Sequence, residues 1–204
     1  MATRVFLVRH GETEWNAQRR IQGHTDTALS ARGVAQAECV AGRLADEPVA
    51  AVYSSDLRRA FQTAEAIASR HGLRVVPEVG LREVSFGEWE GKTEEDLGAA
   101  AYAQALQLWR ADPLRNRPPG GESIPALLQR VGKVFDRVVA AHTGQTVVIV
   151  GHGGSMRAVL AHALGGGLET YAALRPHNAS LSLIEVGDSG VVLQLYNDTC
   201  FLNE

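Results

Sequence analysis

Short apolar runs alternate along the chain with stretches in which apolar positions recur every three or four residues. The runs are Arg4 to Val8, Val49 to Tyr53 and Thr146 to Val150, each rich in β-branched residues or followed by a glycine or serine break. This pattern predicts buried strands in the interior of a parallel sheet. The clearest helical stripe is Ile124, Leu127, Leu128, Val131, Val134, Phe135, Val138 and Val139, with Ser123 placed to cap it. Leu57, Phe61, Ala64 and Ile67 form a second such face. Strands alternating with helices of this length predict an α/β sandwich, a mostly parallel sheet with helices on both faces. Two further β-prone stretches, Leu181 to Val186 and Val191 to Tyr196, flank the turn-like Gly187-Asp188-Ser189-Gly190 and predict a terminal hairpin.

The Pro/Gly-rich stretch from Asp112 to Gly121 reads as a surface loop after a helix that ends near Trp109-Arg110, not as a linker between domains. Residues 1–204 are therefore expected to form one domain. Between core elements, Trp89 to Arg117 carries Lys92, Arg110, Arg115 and Arg117. That position suits a substrate-facing insertion, against the plainer reading of a solvated helix and loop.

Composition narrows the partners. With 45% hydrophobic and 21% charged residues the chain has the balance of an ordinary globular protein. A formal net charge of -3 and a pI near 6.2 give no general pull toward nucleic acid or anionic lipid, so neither is an expected partner and anion binding must be local. Cys39 and Cys200 are the only cysteines, which suggests neither a disulfide framework nor a zinc-thiolate site and fits a reduced, cytoplasmic setting. The apolar run after Met1-Ala2-Thr3-Arg4 is too short for a signal-peptide core or a membrane span, so no targeting segment is expected.

The strongest local signal is Leu7-Val8-Arg9-His10-Gly11-Glu12-Thr13, where a buried strand ends in an Arg-His pair and a glycine. Ligands of open parallel sheets bind beyond the carboxyl ends of strands. The second strand leads through Ser54-Ser55-Asp56 to Arg58, near a helix start, and the third ends in Gly151-His152-Gly153-Gly154, again opening a helix. If the strands are parallel and adjacent, Arg9, His10, Arg58 and His152 emerge at one edge. Two guanidinium groups, two imidazoles and helix N-termini suit a phosphoryl group, and one imidazole can act as nucleophile without a metal.

In six segments the sequence resembles the histidine phosphatase superfamily, which includes cofactor-dependent phosphoglycerate mutases and broad-specificity phosphatases. They are Leu7 to Asn16 (LVRHGETEWN), Gln22-Gly23 with Leu29 to Gly33, Ser54 to Ala64 (SSDLRRAFQTA), Leu81 to Gly91 (LREVSFGEWEG), Gly120 to Ser123 (GGES) and Val150 to Ser155 (VGHGGS). The resemblance implies a phosphoglycerate-mutase-like three-layer sandwich. It implies that His10 takes the phosphoryl group, that Arg9, Arg58 and His152 bind its oxygens, and that Glu83 gives the proton to the leaving group. Asn16, Gln22 and the backbone of Gly23 and Gly153 would complete the phosphate cradle. No metal and no other cofactor is implied.

The other histidines read differently. His24, His71, His142 and His162 lack a partner pattern and are expected in surface or cap roles, while for His177, before Asn178 near the hairpin, a peripheral role at the site mouth is the weaker reading. Glu122 and Ser123 read as a loop end and a helix cap. Around His152, Gly153 occupies the place a nucleophile elbow gives to serine, and Met156 the place of the third glycine of a dinucleotide fingerprint, so both motifs fail. The expected activity is hydrolysis of a small-molecule phosphomonoester through phospho-His10. The rivals are a phosphoglycerate mutase, for which the chain looks short between the FGEWEG and GGES segments, and a non-catalytic phosphate-binding module.

Overall fold

The apolar runs become strands because both of their faces are covered. In the computed structural model, which describes residues 1–99 and 101–202, β1 (Thr3–Arg9) is followed by the single-turn α1 (Glu14–Ala17), α2 (Ala31–Leu44), β2 (Val49–Ser54) and α3 (Arg58–Arg70). A short strand β3 (Val75–Pro77), α4 (Glu94–Leu97), α5 (Ala103–Ala111) and α6 (Ile124–Ala141) come next. The chain then forms β4 (Thr146–Gly151), α7 (Gly153–Ala163), α8 (Gly167–Ala173), β5 (Leu181–Gly187) and β6 (Gly190–Asp198).

Six strands make one sheet in the order β3-β2-β4-β1-β5-β6. The pairs β1 with β4, β2 with β4 and β2 with β3 are parallel, while β5 runs antiparallel to β1 and to β6. Alternate side chains of the central strands enter different layers. Val5, Leu7, Val147 and Ile149 pack with Leu127, Val131, Phe135 and Val138 of α6 and with Met156 and Val159 of α7. Phe6, Val8, Val148 and Val150 pack with Val40 and Leu44 of α2 and with Ala60, Ala64 and Ile67 of α3. Helices thus cover both faces, as the strand-helix alternation predicts.

Ser123 accepts a hydrogen bond from the amide of Ala126 and caps α6, and Ser30 does the same for α2 through Gly33. The hairpin β5-β6 forms around the turn that its glycines mark. The segment after Trp89 differs from a solvated helix and loop. Trp89, Leu97 and Leu106 form a small buried cluster of their own, joined by Ile21, Phe86, Tyr102 and Trp109. Among the described residues no helix is long and apolar enough to cross a membrane.

Candidate active site

The register of the sheet brings the strand ends level. Arg9 stands opposite Gly151 and Ser54 opposite Val150, and the ladder continues one residue further, with the amide of His10 donating to Gly151 O at 2.9 Å and that of Ser55 to Val150 O at 3.0 Å. His10 and His152 therefore follow adjacent parallel strands. Their rings meet edge to face with centroids 5.1 Å apart.

Both imidazoles are enclosed, His10 to 2% exposure and His152 to 0%. His10 Nδ1 lies 2.6 Å from Gly11 O. A carbonyl only accepts, so Nδ1 carries the proton and Nε2 presents its lone pair. His152 has the opposite tautomer: Arg59 Nε donates to its Nδ1 at 3.1 Å, leaving Nε2 to donate to Ser55 Oγ at 2.9 Å. Burial, and then the positive charges of Arg59 and Arg9, hold the His10 pKa well below the ordinary histidine value, despite the Gly11 carbonyl. The same burial, with Arg59, His10 and Arg9 beside it, lowers that of His152. The result is a neutral, oriented imidazole beside fixed positive charge.

The arginine in this arrangement is Arg59, not Arg58. Arg58 lies exposed on the first turn of α3, where its amide donates to Asp26 Oδ1 at 2.7 Å. Arg59 is fully buried, and besides His152 it donates to Thr25 O and Gly23 O, each at 2.8 Å. Burial pushes its pKa down to about 10, and it still stays charged at neutral pH. The cause of the difference is helical geometry. Successive residues turn by about 100°, so two adjacent arginines cannot share a face. Ala60, Ala64 and Ile67 mark the buried side, and Arg58 falls nearly opposite it.

Arg9 donates through Nη1 to Pro176 O at 2.8 Å, while its Nε is buried without a hydrogen-bond partner. An enclosed, unanswered guanidinium nitrogen is the donor an anionic ligand would satisfy. The other sequence-predicted residues surround the same point. Gln22 is buried, its Oε1 accepting from Thr27 Oγ1 at 2.6 Å, and Asn16 Oδ1 accepts from Asn178 Nδ2 at 3.2 Å. Gly23 has φ of 53°, and a Cβ there would overlap Glu90 Oε1. Gly153 opens α7.

Glu83 lies at the N-terminus of α7, its Oε1 accepting from Gly154 N and Val84 N, each at 2.9 Å. Any side chain at Gly154 would overlap that carboxylate. With Arg9, Gly153 and Gly154, Glu83 lines a cleft of about 370 Å³ that reaches Arg157, Tyr171, Arg175 and His177. His177 thus lines the cleft as well. A second hollow, which shares Phe86, Tyr171 and Arg175 with this cleft, is also lined by Trp109, Pro113 and Leu114. The insertion therefore contributes apolar surface. Three of its bases are engaged elsewhere: Lys92 lies over the Tyr102 ring, Arg110 pairs with Glu94 and Arg115 with Asp112.

Several supporting groups escape sequence reasoning. His24, expected as a surface or cap residue, is half-buried with Nε2 2.8 Å from Glu83 O. Arg130 donates to the carbonyls of Gly80, Arg82 and Glu83 at 2.9, 2.8 and 2.7 Å and forms a bidentate pair with Glu122. Glu122 is thus more than a loop end. Asn178 Nδ2 donates to His10 O at 3.1 Å. Apart from the Arg130–Glu122 pair, these contacts join residues 47 or more positions apart, and no local spacing announces them. Among the described residues no group of three His, Cys, Asp or Glu side chains is placed to hold a metal ion.

The histidine phosphatase superfamily (branch 1) model matches residues 5–199. Phosphoserine phosphatase 1 of Hydrogenobacter thermophilus is 36% identical over 98% of this chain and 95% of its own. Phosphoglycerate mutase-like protein 4 of Arabidopsis thaliana is also 36% identical, over 98% and 87%. Among solved structures, the alpha-ribazole phosphatase of Shigella flexneri superposes with a TM-score of 0.89 at 31% identity, over 96% of each chain.

Proposed function

Because the chain belongs to the histidine phosphatase superfamily, we propose that it is a metal-independent phosphatase of small phosphomonoesters, working through a phosphohistidine at His10. The observation that carries this reading is the neutral His10, its Nε2 lone pair free, beside Arg59 and beside an Arg9 whose Nε lacks a partner. The cationic groups supply the charge stabilisation that a metal provides elsewhere. His10 Nε2 attacks phosphorus and the P–O ester bond breaks. Glu83 gives its proton to the departing alkoxide, and then, as a carboxylate, takes one from the water that attacks phospho-His10 and releases phosphate. Arg9, Arg59 and His152, with Asn16, Gln22 and the backbone of Gly23 and Gly153, bind the phosphoryl oxygens; Arg58 has no part.

The names of the relatives support this reading, since they include phosphatases of phosphoserine and alpha-ribazole phosphate esters. Residues 1–204 are read as one such domain, whose sheet draws strands from both ends of the chain. A cytoplasmic location fits the two free cysteines, Cys39 and Cys200. The mutase reading is favoured by the names of other relatives, phosphoglycerate mutase-like protein 4 and several probable phosphoglycerate mutases. Hydrolysis of p-nitrophenyl phosphate tests the choice: it should survive exhaustive EDTA treatment, and 2,3-bisphosphoglycerate should not turn the enzyme into an isomerase of 3-phosphoglycerate. Loss of activity restored by one divalent metal, or isomerisation faster than hydrolysis, overturns the proposal.

A further inference from the structure

The aim of Arg59 depends on a loop that is neither helix nor strand. Its Nε donates to His152 Nδ1 at 3.1 Å, while Nη1 and Nη2 donate to Thr25 O and Gly23 O, each at 2.8 Å. Both carbonyls lie between α1 and α2, in a segment whose own backbone supplies one turn, closed by the Thr25 amide onto Gln22 O at 3.0 Å. A long, flexible guanidinium is only as well placed as the acceptors that hold its fork. What holds those acceptors is a carboxylate from another part of the chain.

Glu90, half-buried just after Trp89, turns its side chain onto this loop. Its Oε2 accepts from the amide and the Oγ1 of Thr25 at 2.9 and 2.8 Å. Its Oε1 accepts from the amides of His24 and Phe86 at 3.0 and 3.1 Å, with Ser85 Oγ at 3.5 Å. A carboxylate has about four lone-pair sites, so these bonds use its whole capacity. The His24 amide and the Gly23 carbonyl are the two ends of one planar trans peptide. Glu90 therefore holds the N–H of the peptide whose C=O receives Arg59, and each bond polarises the peptide in the sense that strengthens the other. Burial opposes charge on Glu90, but the hydrogen bonds from His24, Thr25 and Phe86 outweigh it and hold the carboxyl below the ordinary glutamate value. Against the burial that lowers the Arg59 pKa, the charges of Glu83, Asp26 and Glu90 favour its protonated form.

We infer that Glu90 is a positioning residue for phosphoryl transfer, fixing the Gly23–Thr25 loop whose carbonyls aim Arg59 at the phosphoryl group. The inference rests on the phosphatase reading and extends it to a side chain outside the reacting centre. A glutamate that only closed its own turn would need the Phe86 amide alone, whereas Glu90 also binds residues 65 and 66 positions away. Arg59 acts on the phosphoryl group, which every substrate shares, so loss of Glu90 should slow all esters regardless of the alcohol that leaves. The rival route runs through His24, whose Nε2 lies 2.8 Å from Glu83 O. A residue acting by that route would weigh most on alcohols that need a proton to depart.

The test is Glu90→Gln, which keeps the side chain's size, removes its charge and turns an NH2 group toward donors on one side. It should lower kcat/KM about tenfold to a hundredfold on p-nitrophenyl phosphate and on n-propyl phosphate alike, and weaken vanadate binding in titration calorimetry by a similar factor. In an Arg59→Ala background the same substitution should lower kcat less than about twofold further, because the group it acts through is gone. A carboxylate that merely stabilised the fold would lower the urea midpoint but give losses that multiply in the double variant. Thr25→Val deletes only the Oγ1 bond to Glu90 and should give losses of about threefold to tenfold in the same readouts. It decides the question if Glu90→Gln does not fold. Unchanged vanadate affinity in the folded variants, multiplied losses in the cycle, or a larger loss on propyl than on p-nitrophenyl phosphate overturns the assignment. If the unaltered enzyme hydrolyses neither ester, the phosphatase reading itself fails, and the vanadate titration still decides the place of Glu90.

Discussion

At Arg58 and Arg59, two identical side chains one position apart meet different environments. Arg59→Ala removes the guanidinium that sits against His152 and lowers the His10 pKa, and it should cost about a hundredfold to a thousandfold in kcat on p-nitrophenyl phosphate. Arg58→Ala, on the exposed face of α3, should change it less than about twofold. Equal losses in the two variants would remove Arg59 from its assigned place. The strand-end position of His10 and His152 is legible in the sequence, because an apolar run that stops at a histidine and a glycine exposes that histidine at the sheet edge. Which of two adjacent arginines points inward is legible only from the apolar face of the whole helix. Burial of the two neutral imidazoles also has a thermodynamic sign. Their folded pKa values lie below 6.5, so the unfolded state binds more protons in that range and stability is present above pH 6.5 and lost as pH falls below it. Between pH 7.5 and 5, where carboxylates remain ionised, the urea midpoint should decline for the native sequence and decline less for His10→Gln. A flat or rising midpoint toward acid would contradict the neutral assignment.

The elements around the site differ in how far their sequences announce them. The α6 helix is plain from its apolar stripe and its capping serine, and the β5-β6 hairpin from its glycines. The edge strand β3 has only three residues and a mostly exposed surface, so no alternation marks it. The turn that carries Glu83 is held from a distance, by Arg130 of α6, whose own fork is fixed by Glu122. Arg130→Met should let this turn shift and misplace the Glu83 carboxyl, at a cost between about tenfold and a hundredfold in kcat. The loss should be larger with an alkyl phosphate, whose alkoxide needs the proton, than with p-nitrophenyl phosphate, whose phenolate leaves without it. Inhibition by vanadate should change little, because Arg9, Arg59 and His10 stay in place. Equal losses on both substrates would make the Arg130–Glu122 pair a stabilising contact alone.

Across the whole molecule, the site exists because β1, β2 and β4 are parallel neighbours whose carboxyl ends lie level. Chain order alone implies that convergence once the sheet is parallel. The cleft walls are another matter, since Phe86, Trp109 and Leu114 meet Tyr171 and Arg175 only through tertiary packing of segments with no shared motif. The insertion's basic residues drew attention in the sequence, and its Trp109 and Leu114 line the adjoining hollow instead. All of these parts serve one claim, that His10 carries the phosphoryl group between substrate and water. Rapid quench of the enzyme with a radiolabelled phosphomonoester, followed by peptide mapping, tests it most directly. A phosphoenzyme labile to acid and stable to alkali, located on His10 and absent from His10→Ala, is the predicted result. An acid-stable ester on serine or threonine, or turnover retained by His10→Ala, would contradict it.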